Sequence, residues 1–332
     1  MRILGVILEA VELKKTFPIK GWLGKTKGAV SAVHDVSFSL KEQSTIGIVG
    51  ESGCGKSTLA RLIMRLIEPD QGKVLFRGKD ILTLSGAELQ SVRKKIQMVF
   101  QNPYSSINPK LTIIDNVAFS LWENGVSKQE ARKKANYYLE AVGLPRSYAT
   151  RYPSSLSGGQ RQRVAIARAL VLEPEIIIAD EAVSALDKSV QAQVLNLLQE
   201  LKTEFSLSLV FISHDLNVVE YISDEVMVMY LGKVVEKGIA NQIYETPNHP
   251  YTRALLNSVP SMEVGVSTLN NSPITGELPS PMNPPSGCRF RTRCPHAIEQ
   301  CSNMYPPEIE IRTGQKVSCI LYESSSREKV LL

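Results

Sequence analysis

No hydrophobic run in this 332-residue sequence approaches the roughly 20 residues that a membrane-spanning helix needs. The apolar stretch from Ile3 to Leu8 is short and runs straight into Glu9 and Glu12, which is not the pattern of a signal peptide. The net charge is only +5, and no dense basic stripe occurs. We therefore expect a cytoplasmic chain without a nucleic-acid partner, which reaches a membrane only through another protein.

The overall composition is that of an ordinary globular protein, with 43% hydrophobic and 21% charged residues. The length allows one large α/β domain plus an appendage. Cysteine is scarce, with five residues, and four of them fall between positions 288 and 319.

The most informative stretch is a glycine-rich loop between an apolar run, Ile46 to Val49, and a helix-like segment, Leu59 to Ile67. Glycines let backbone N–H groups turn onto phosphate oxygens, and the following helix directs its positive dipole end at them. In a G-x4-G-K-S loop, the lysine reaches the β- and γ-phosphates and the serine hydroxyl binds Mg²⁺. We therefore predict a nucleoside triphosphate site, formed by Gly50, Ser52, Gly53, Cys54, Gly55, Lys56, Ser57 and Thr58.

Strands and helices alternate along much of the chain. A helix through Leu172 is followed by a strand Ile176–Ala179, a helix over 189–202 and a strand Leu207–Ile212. This alternation predicts a mostly parallel sheet covered on both faces. Residues 112–143 have helical spacing instead and predict an inserted helical subdomain, whereas the regular pattern ends near residue 240 and residues 259–287 look like a linker.

The strand Ile176–Ala179 ends in two acids, Asp180 and Glu181. The carboxyl edge of a parallel sheet is where ligands bind, so we expect Asp180 to hold Mg²⁺ and Glu181 to polarise the attacking water. Taken alone, this motif could equally be an ordinary strand that ends in solvated acids. The phosphate loop upstream favours the catalytic interpretation.

A second helix start that could bind phosphate follows Leu156, in the run Ser157, Gly158, Gly159 and Gln160. With this run the chain resembles the nucleotide-binding subunits of ATP-binding cassette (ABC) transporters, whose signature it matches. In that family two cassettes pack head to tail, and each ATP lies between one phosphate loop and the signature of the other cassette.

The resemblance assigns further residues, and the motifs stand in the family's order. Gln101 matches the glutamine loop that senses Mg²⁺ and contacts the membrane partner, Asp187 ends a run that matches the D-loop, and His214 matches the switch histidine. A histidine that ends a strand is by itself more often structural. One departure is visible, because many members have proline after the acidic pair where this chain has Ala182-Val183.

An aromatic residue ahead of the phosphate loop stacks on adenine in the family, and Phe17 occupies that place. Ordinary packing is the alternative role for Phe17, and Trp22 is a poorer candidate for the stacking. The implied fold is an α/β P-loop NTPase cassette of the RecA-like type, with an inserted helical subdomain at about 102–158 and an antiparallel β subdomain. We place the ATP-binding domain at 1–245 and a small irregular, cysteine-rich C-terminal domain at 246–332.

Within the ABC family, the chain resembles the second ATPase subunit of oligopeptide and dipeptide importers. The resemblance implies ATP and Mg²⁺ as ligands, a paralogous ATPase subunit, two membrane permease subunits, an extracytoplasmic binding protein and a location at the cytoplasmic face of the membrane. Importers of nickel, glutathione or oligosaccharides remain alternatives, as does a soluble ABC ATPase without a transport role. The stretches that carry the resemblance are 14–20, 50–54, 101–109 and 248–256.

The late cysteines follow the pattern C-x5-C-x6-C-x17-C and comprise Cys288, Cys294, Cys301 and Cys319. Structural zinc sites usually contain a closer cysteine pair, whereas wider spacing suits a [4Fe–4S] cluster held by four thiolates. Relatives with this pattern resemble cluster carriers, and Arg289, Arg291 and Arg293 would offset the negative charge. Zinc and unliganded or disulfide-bonded cysteines remain open, with His296 as a possible substitute ligand.

Overall fold

The computed structural model describes residues 5–20, 26–102, 106–258 and 276–323. Trp22, part of the 101–109 stretch and most of the expected linker at 259–287 lie outside these described residues. The described strands are, in chain order, β1 Val6–Lys20, β2 Thr26–Lys41, β3 Thr45–Val49, β4 Gln71–Phe76, β5 Lys79–Asp80, β6 Ile96–Val99, β7 Ile176–Asp180, β8 Ser208–Ile212, β9 Glu225–Tyr230, β10 Lys233–Ile239, β11 Ile309–Arg312 and β12 Gln315–Val317.

Helices connect most of these strands. The α-helices are Lys56–Ile63, Gly86–Lys95, Ile113–Trp122, Lys128–Ala141, Gly158–Leu170, Lys188–Glu204, Leu216–Ile222, Ala240–Glu245, Pro250–Asn257 and Gln300–Asn303. Short 3₁₀ turns occur at Arg146–Tyr148, Pro153–Ser155 and Ile320–Tyr322. None of the helices in the described part of the chain is long and apolar enough to cross a membrane.

Two sheets form the frame of the molecule. The larger has eight strands in the order β11-β12-β10-β9-β3-β8-β7-β6, and the smaller is antiparallel with the order β2-β1-β4-β5. Strands β9, β3, β8, β7 and β6 are mutually parallel, as the alternation of strands and helices predicts. Their carboxyl ends therefore share one edge of the sheet.

Strand β7 shows why the parallel strands are apolar throughout. Ile176 and Ile178 pack into the core shared with the antiparallel sheet, whereas Ile177 and Ala179 pack into the core shared with the helical layer. Side chains alternate between the faces of a strand, so a strand covered on both sides needs apolar residues at successive positions. The sheet is thus anchored between two cores.

The inserted helical subdomain contains the helices Ile113–Trp122 and Lys128–Ala141. Each begins at a hydroxyl side chain, Thr112 or Ser127, which accepts a hydrogen bond from the backbone N–H three residues on. The residues at the predicted spacing are buried: Ile113, Val117, Leu121, Tyr138 and Val142.

The C-terminal region differs from its expected irregularity. Three α-helices begin at or after residue 240 in the described part of the chain. Strand β12 pairs with β10, so the hairpin β11–β12 adds two strands to the edge of the main sheet. The prediction that regular structure ends near residue 240 is therefore wrong. The segment was missed because strands of four and three residues are too short for their periodicity to be read.

Candidate active site

The phosphate loop connects β3 to the helix Lys56–Ile63 and depends on glycines. Gly50 and Gly55 have φ values of +150° and +106°, and a Cβ on either would come within 2.1 Å of a backbone oxygen, of Met229 and Ala32 respectively. Any side chain at these positions would collide with neighbouring backbone. The loop can consequently lie against the sheet and present its N–H groups at the start of the helix.

Lys56 is 5% exposed and lies folded onto the loop. Its ammonium group donates hydrogen bonds to the carbonyl oxygens of Gly50, at 2.7 Å, and Glu51, at 3.1 Å. These carbonyls satisfy the buried ammonium group. A triphosphate would offer the same ammonium group negatively charged oxygens in their place.

Ser57 and Asp180 meet at the carboxyl edge of the sheet. The Ser57 hydroxyl donates a hydrogen bond to Asp180 Oδ1 at 2.9 Å. Asp180 is buried, and this burial raises the pKa of its carboxyl group, although the Ser57 hydrogen bond acts in the opposite direction. A hydroxyl and a buried carboxylate side by side make a set of oxygen donors that suits Mg²⁺.

Glu181 receives contacts from the ends of two neighbouring strands. The Gln101 side-chain amide, just beyond β6, donates to Glu181 Oε2 at 2.7 Å, and His214 Nδ1, just beyond β8, lies 3.5 Å from the same oxygen. Glu181 has a left-handed backbone with φ of +49°, and its N–H donates to the Ile212 carbonyl at 2.9 Å. Three parallel strands thus bring three polar side chains to one point.

The signature residues form a helix start in their own part of the fold. Ser157 and Gln160 make a reciprocal capping box at the start of Gly158–Leu170, and the Gln160 amide also donates to the Tyr148 hydroxyl at 3.3 Å. A Cβ on Gly159 would lie 2.4 Å from Val190 Cγ1, so this glycine lets two helices approach closely. Ser157 itself is exposed at the surface.

Asp187 and Phe17 are also exposed. Asp187 immediately precedes the helix Lys188–Glu204 and makes no side-chain capping hydrogen bond. Phe17 lies on β1 opposite Val30, is 38% exposed, and has the Lys15 ammonium 5.7 Å from its ring centroid. Both side chains are therefore accessible to a ligand or partner.

The four late cysteines line one narrow cavity, together with His249, His296 and Phe290. Burial raises the pKa of the Cys288 thiol, that of Cys294 to about 11 and that of Cys319 to about 12. Within the described ranges, however, no three His, Cys, Asp or Glu residues form a group that could hold a metal ion. The arrangement as it stands therefore gives the expected cluster no support.

Two of the arginines expected beside the cysteines bond elsewhere. Arg289 donates to the Leu231 carbonyl and Arg293 binds the Glu51 carboxylate, whereas Arg291 remains near Cys288. The charge of Arg293 is paired with Glu51 instead of being free to offset a cluster, whereas the expectation for Arg289 and Arg291 stays a prediction. Sequence reasoning also missed the contacts of Glu51, because its partner Arg293 lies 242 residues away and no local pattern marks the pair.

Comparisons with known proteins place the chain among ATP-binding proteins of transporters. Residues 33–184 match the ABC transporter family, and residues 235–301 match the oligopeptide/dipeptide transporter C-terminal region. The chain is 52% identical to the oligopeptide transport ATP-binding protein AppF of Bacillus subtilis, over 95% of this chain and 97% of that protein. It is 47% identical to the dipeptide transport ATP-binding protein DppF of Escherichia coli, over 94% of this chain and 93% of that protein.

A solved structure with the same cassette fold is the dimeric ATP-binding cassette MJ0796 in a post-hydrolysis state with ADP and Pi. It is 32% identical with a TM-score of 0.63, and the match covers 70% of this chain and 99% of that one. Fold and site therefore define an ABC-type ATPase cassette. Given the identity over nearly its whole length, the chain belongs to the ABC transporter ATP-binding proteins that carry the oligopeptide/dipeptide transporter C-terminal region.

Proposed function

We propose that this chain is the ATP-hydrolysing subunit of an ABC importer that powers uptake of dipeptides or oligopeptides across the cytoplasmic membrane. One observation carries the ATPase role: the phosphate loop, Asp180, Glu181, Gln101 and His214 converge at the carboxyl edge of one parallel sheet. The peptide substrate class is supported by the C-terminal region and by the transport named for AppF and DppF.

In this proposal the backbone N–H groups of the phosphate loop and Lys56 hold the phosphates. Ser57 and Asp180 hold Mg²⁺, with Gln101 as a further ligand, and the ion supplies positive charge against the phosphate oxygens. Glu181 orients and deprotonates the attacking water, while His214 contacts the γ-phosphate. The short distances from Gln101 and His214 to Glu181 support a single working unit.

The second half of each ATP site comes from another cassette. Ser157, Gly158, Gly159, Gln160 and Asp187 act on the nucleotide bound by the partner, and their position at a surface helix start supports this assignment. The partner is a paralogous ATPase subunit, and the pair attaches to two membrane permease subunits that receive cargo from an extracytoplasmic binding protein. The chain then works at the cytoplasmic face of the membrane, and Phe17 stacks on adenine.

The C-terminal cysteines are proposed as ligands of a [4Fe–4S] cluster, a role that rests on their spacing in the sequence alone. The positive charge of iron would favour thiolates at positions where burial raises the thiol pKa. Zinc remains the alternative. The cluster is structural in this proposal and takes no part in hydrolysis.

Reconstitution with the membrane subunits tests the function. The chain should co-purify from detergent-solubilised membranes with hydrophobic partners, and the assembled complex should hydrolyse ATP faster when its binding protein carries a peptide. Stimulation by nickel, glutathione or an oligosaccharide instead would keep the ATPase role and replace the cargo. A chain that purifies without membrane partners would support the soluble ABC ATPase alternative.

A further inference from the structure

The loop between Cys288 and Cys294 contacts the phosphate loop directly. Arg293 donates two hydrogen bonds to the Glu51 carboxylate, at 2.7 and 3.0 Å, and its side chain is only 6% exposed. The same guanidinium lies 3.3 Å from the Tyr230 hydroxyl. A bidentate pair of this kind fixes both position and orientation of the carboxylate.

The backbone of Glu51 is held as well. Its N–H donates to the hydroxyl of Tyr251 at 2.9 Å, and Tyr251 is fully buried in the C-terminal region. The Glu51 carbonyl accepts a hydrogen bond from the Lys56 ammonium group at 3.1 Å. Two of these three contacts to Glu51, those from Arg293 and Tyr251, come from beyond residue 245.

A second set of hydrogen bonds supports the other side of the phosphate loop. Arg289 is buried and donates to the Leu231 carbonyl, in the turn between β9 and β10. The next residue, Gly232, donates its N–H to the carbonyl of Cys54 at 2.8 Å. The C-terminal region therefore supports the phosphate loop at Glu51 directly and at Cys54 through this turn.

Such support has a physical consequence for nucleotide binding. Gly50, Gly53 and Gly55 all have left-handed φ values, so the free loop has more conformational freedom than other residues would allow. Holding it in place lowers the entropy that binding must remove. Glu51 is also the one acid in the sequence from Gly50 to Ser57, and without Arg293 its charge would repel a triphosphate.

We infer that Arg293 is a positioning residue for ATP binding, which holds and neutralises Glu51 so that the phosphate loop accepts the triphosphate. The inference rests on the proposed function in that the loop must bind ATP. It assigns the C-terminal region a role in the ATP site besides any metal that its cysteines hold.

The test is ATP titration of the full chain, alone and with its partner cassette. Arg293→Gln should weaken ATP binding about tenfold, the scale of one lost charge-assisted pair. Glu51→Gln removes the carboxylate charge that Arg293 neutralises. The double variant, Arg293→Gln with Glu51→Gln, should therefore recover ATP affinity to within about threefold of the unmodified chain. In the assembled ATPase, Arg293→Gln should raise KM for ATP and leave kcat nearly unchanged.

Two further variants keep the result decisive if Arg293→Gln folds poorly. Tyr251→Phe removes only the hydroxyl that accepts the Glu51 N–H, and should weaken binding about threefold. Arg253→Gln is the matched control, because Arg253 is a C-terminal arginine whose hydrogen bonds go to Pro247 and Tyr322; it should bind ATP normally.

Three outcomes would overturn the inference. They are ATP affinity within twofold of normal for Arg293→Gln, an equal loss for Arg253→Gln, or a double variant that binds no better than Arg293→Gln alone. Should Arg293→Gln not fold, unchanged affinity in Tyr251→Phe would overturn it as well. Failure of the unmodified chain to bind ATP would instead contradict the proposed function.

Discussion

The Gln101 side-chain amide and the Glu181 carboxylate are joined by a 2.7 Å hydrogen bond, although 80 residues separate them. Strands β6 and β7 are parallel neighbours, so their carboxyl ends place both side chains at the same edge. In the proposed function, this bond orients Glu181 beside Asp180 for activation of the attacking water. This relationship makes Glu181 the first residue to test.

Glu181→Gln should leave ATP binding intact and slow hydrolysis by about 10²- to 10⁴-fold, because the amide cannot accept the proton of water. Turnover is measured with the chain paired to its partner cassette, and each subunit is varied separately because one of the two sites can be the weaker. Retention of more than about a tenth of the normal rate would show that another group is the base.

Lys56→Ala should weaken ATP binding by about 10- to 100-fold, because the charge-assisted hydrogen bonds to phosphate are lost. The structure shows this ammonium resting on the Gly50 and Glu51 carbonyls, from which it can turn to the nucleotide. Direct titration of the purified chain measures the effect. Unchanged affinity would remove the central role assigned to this lysine.

Ser157→Arg should leave ATP affinity of the isolated chain unchanged and impair hydrolysis at the phosphate loop of the partner cassette. Ser157 is exposed and caps the helix that begins at Gly158, so a large cation there would obstruct the facing site. Paired and unpaired chains are compared in the same titration. Loss of affinity in the isolated chain would contradict the head-to-tail arrangement.

Anaerobically purified protein should be brown and hold about four irons per chain if the cysteines bind the proposed cluster. Single replacement of Cys288, Cys294, Cys301 or Cys319 by serine should remove the colour. Cys54→Ser is the matched control, since Cys54 is buried in the phosphate loop. Colourless protein with about one zinc per chain would show that the cysteines bind zinc instead of an iron–sulfur cluster. Metal-free protein would contradict both metal assignments.

The parallel sheet could be predicted from the sequence because its strands and helices carry their own periodicity. The strand predicted over Ile176–Ala179 differs from β7 only by the addition of Asp180, and the strand predicted over Leu207–Ile212 differs from β8 only by beginning one residue earlier. The hairpin β11–β12 was not predicted, since its strands are short and gain their place only by pairing with β10. Stability from such pairing does not appear in a local pattern.

The sequence by itself determined the class of protein, because the phosphate loop, the signature and the acidic strand end are contiguous stretches whose chemistry depends on local order. The tertiary structure alone decided which distant residues support them. Arg293 holds Glu51 across 242 positions, and Ser57 meets Asp180 across 123. Local motifs can be recognised because their residues are adjacent in the sequence. The long-range contacts form only when the sheet brings separate strand ends, and the C-terminal region, to the same loop.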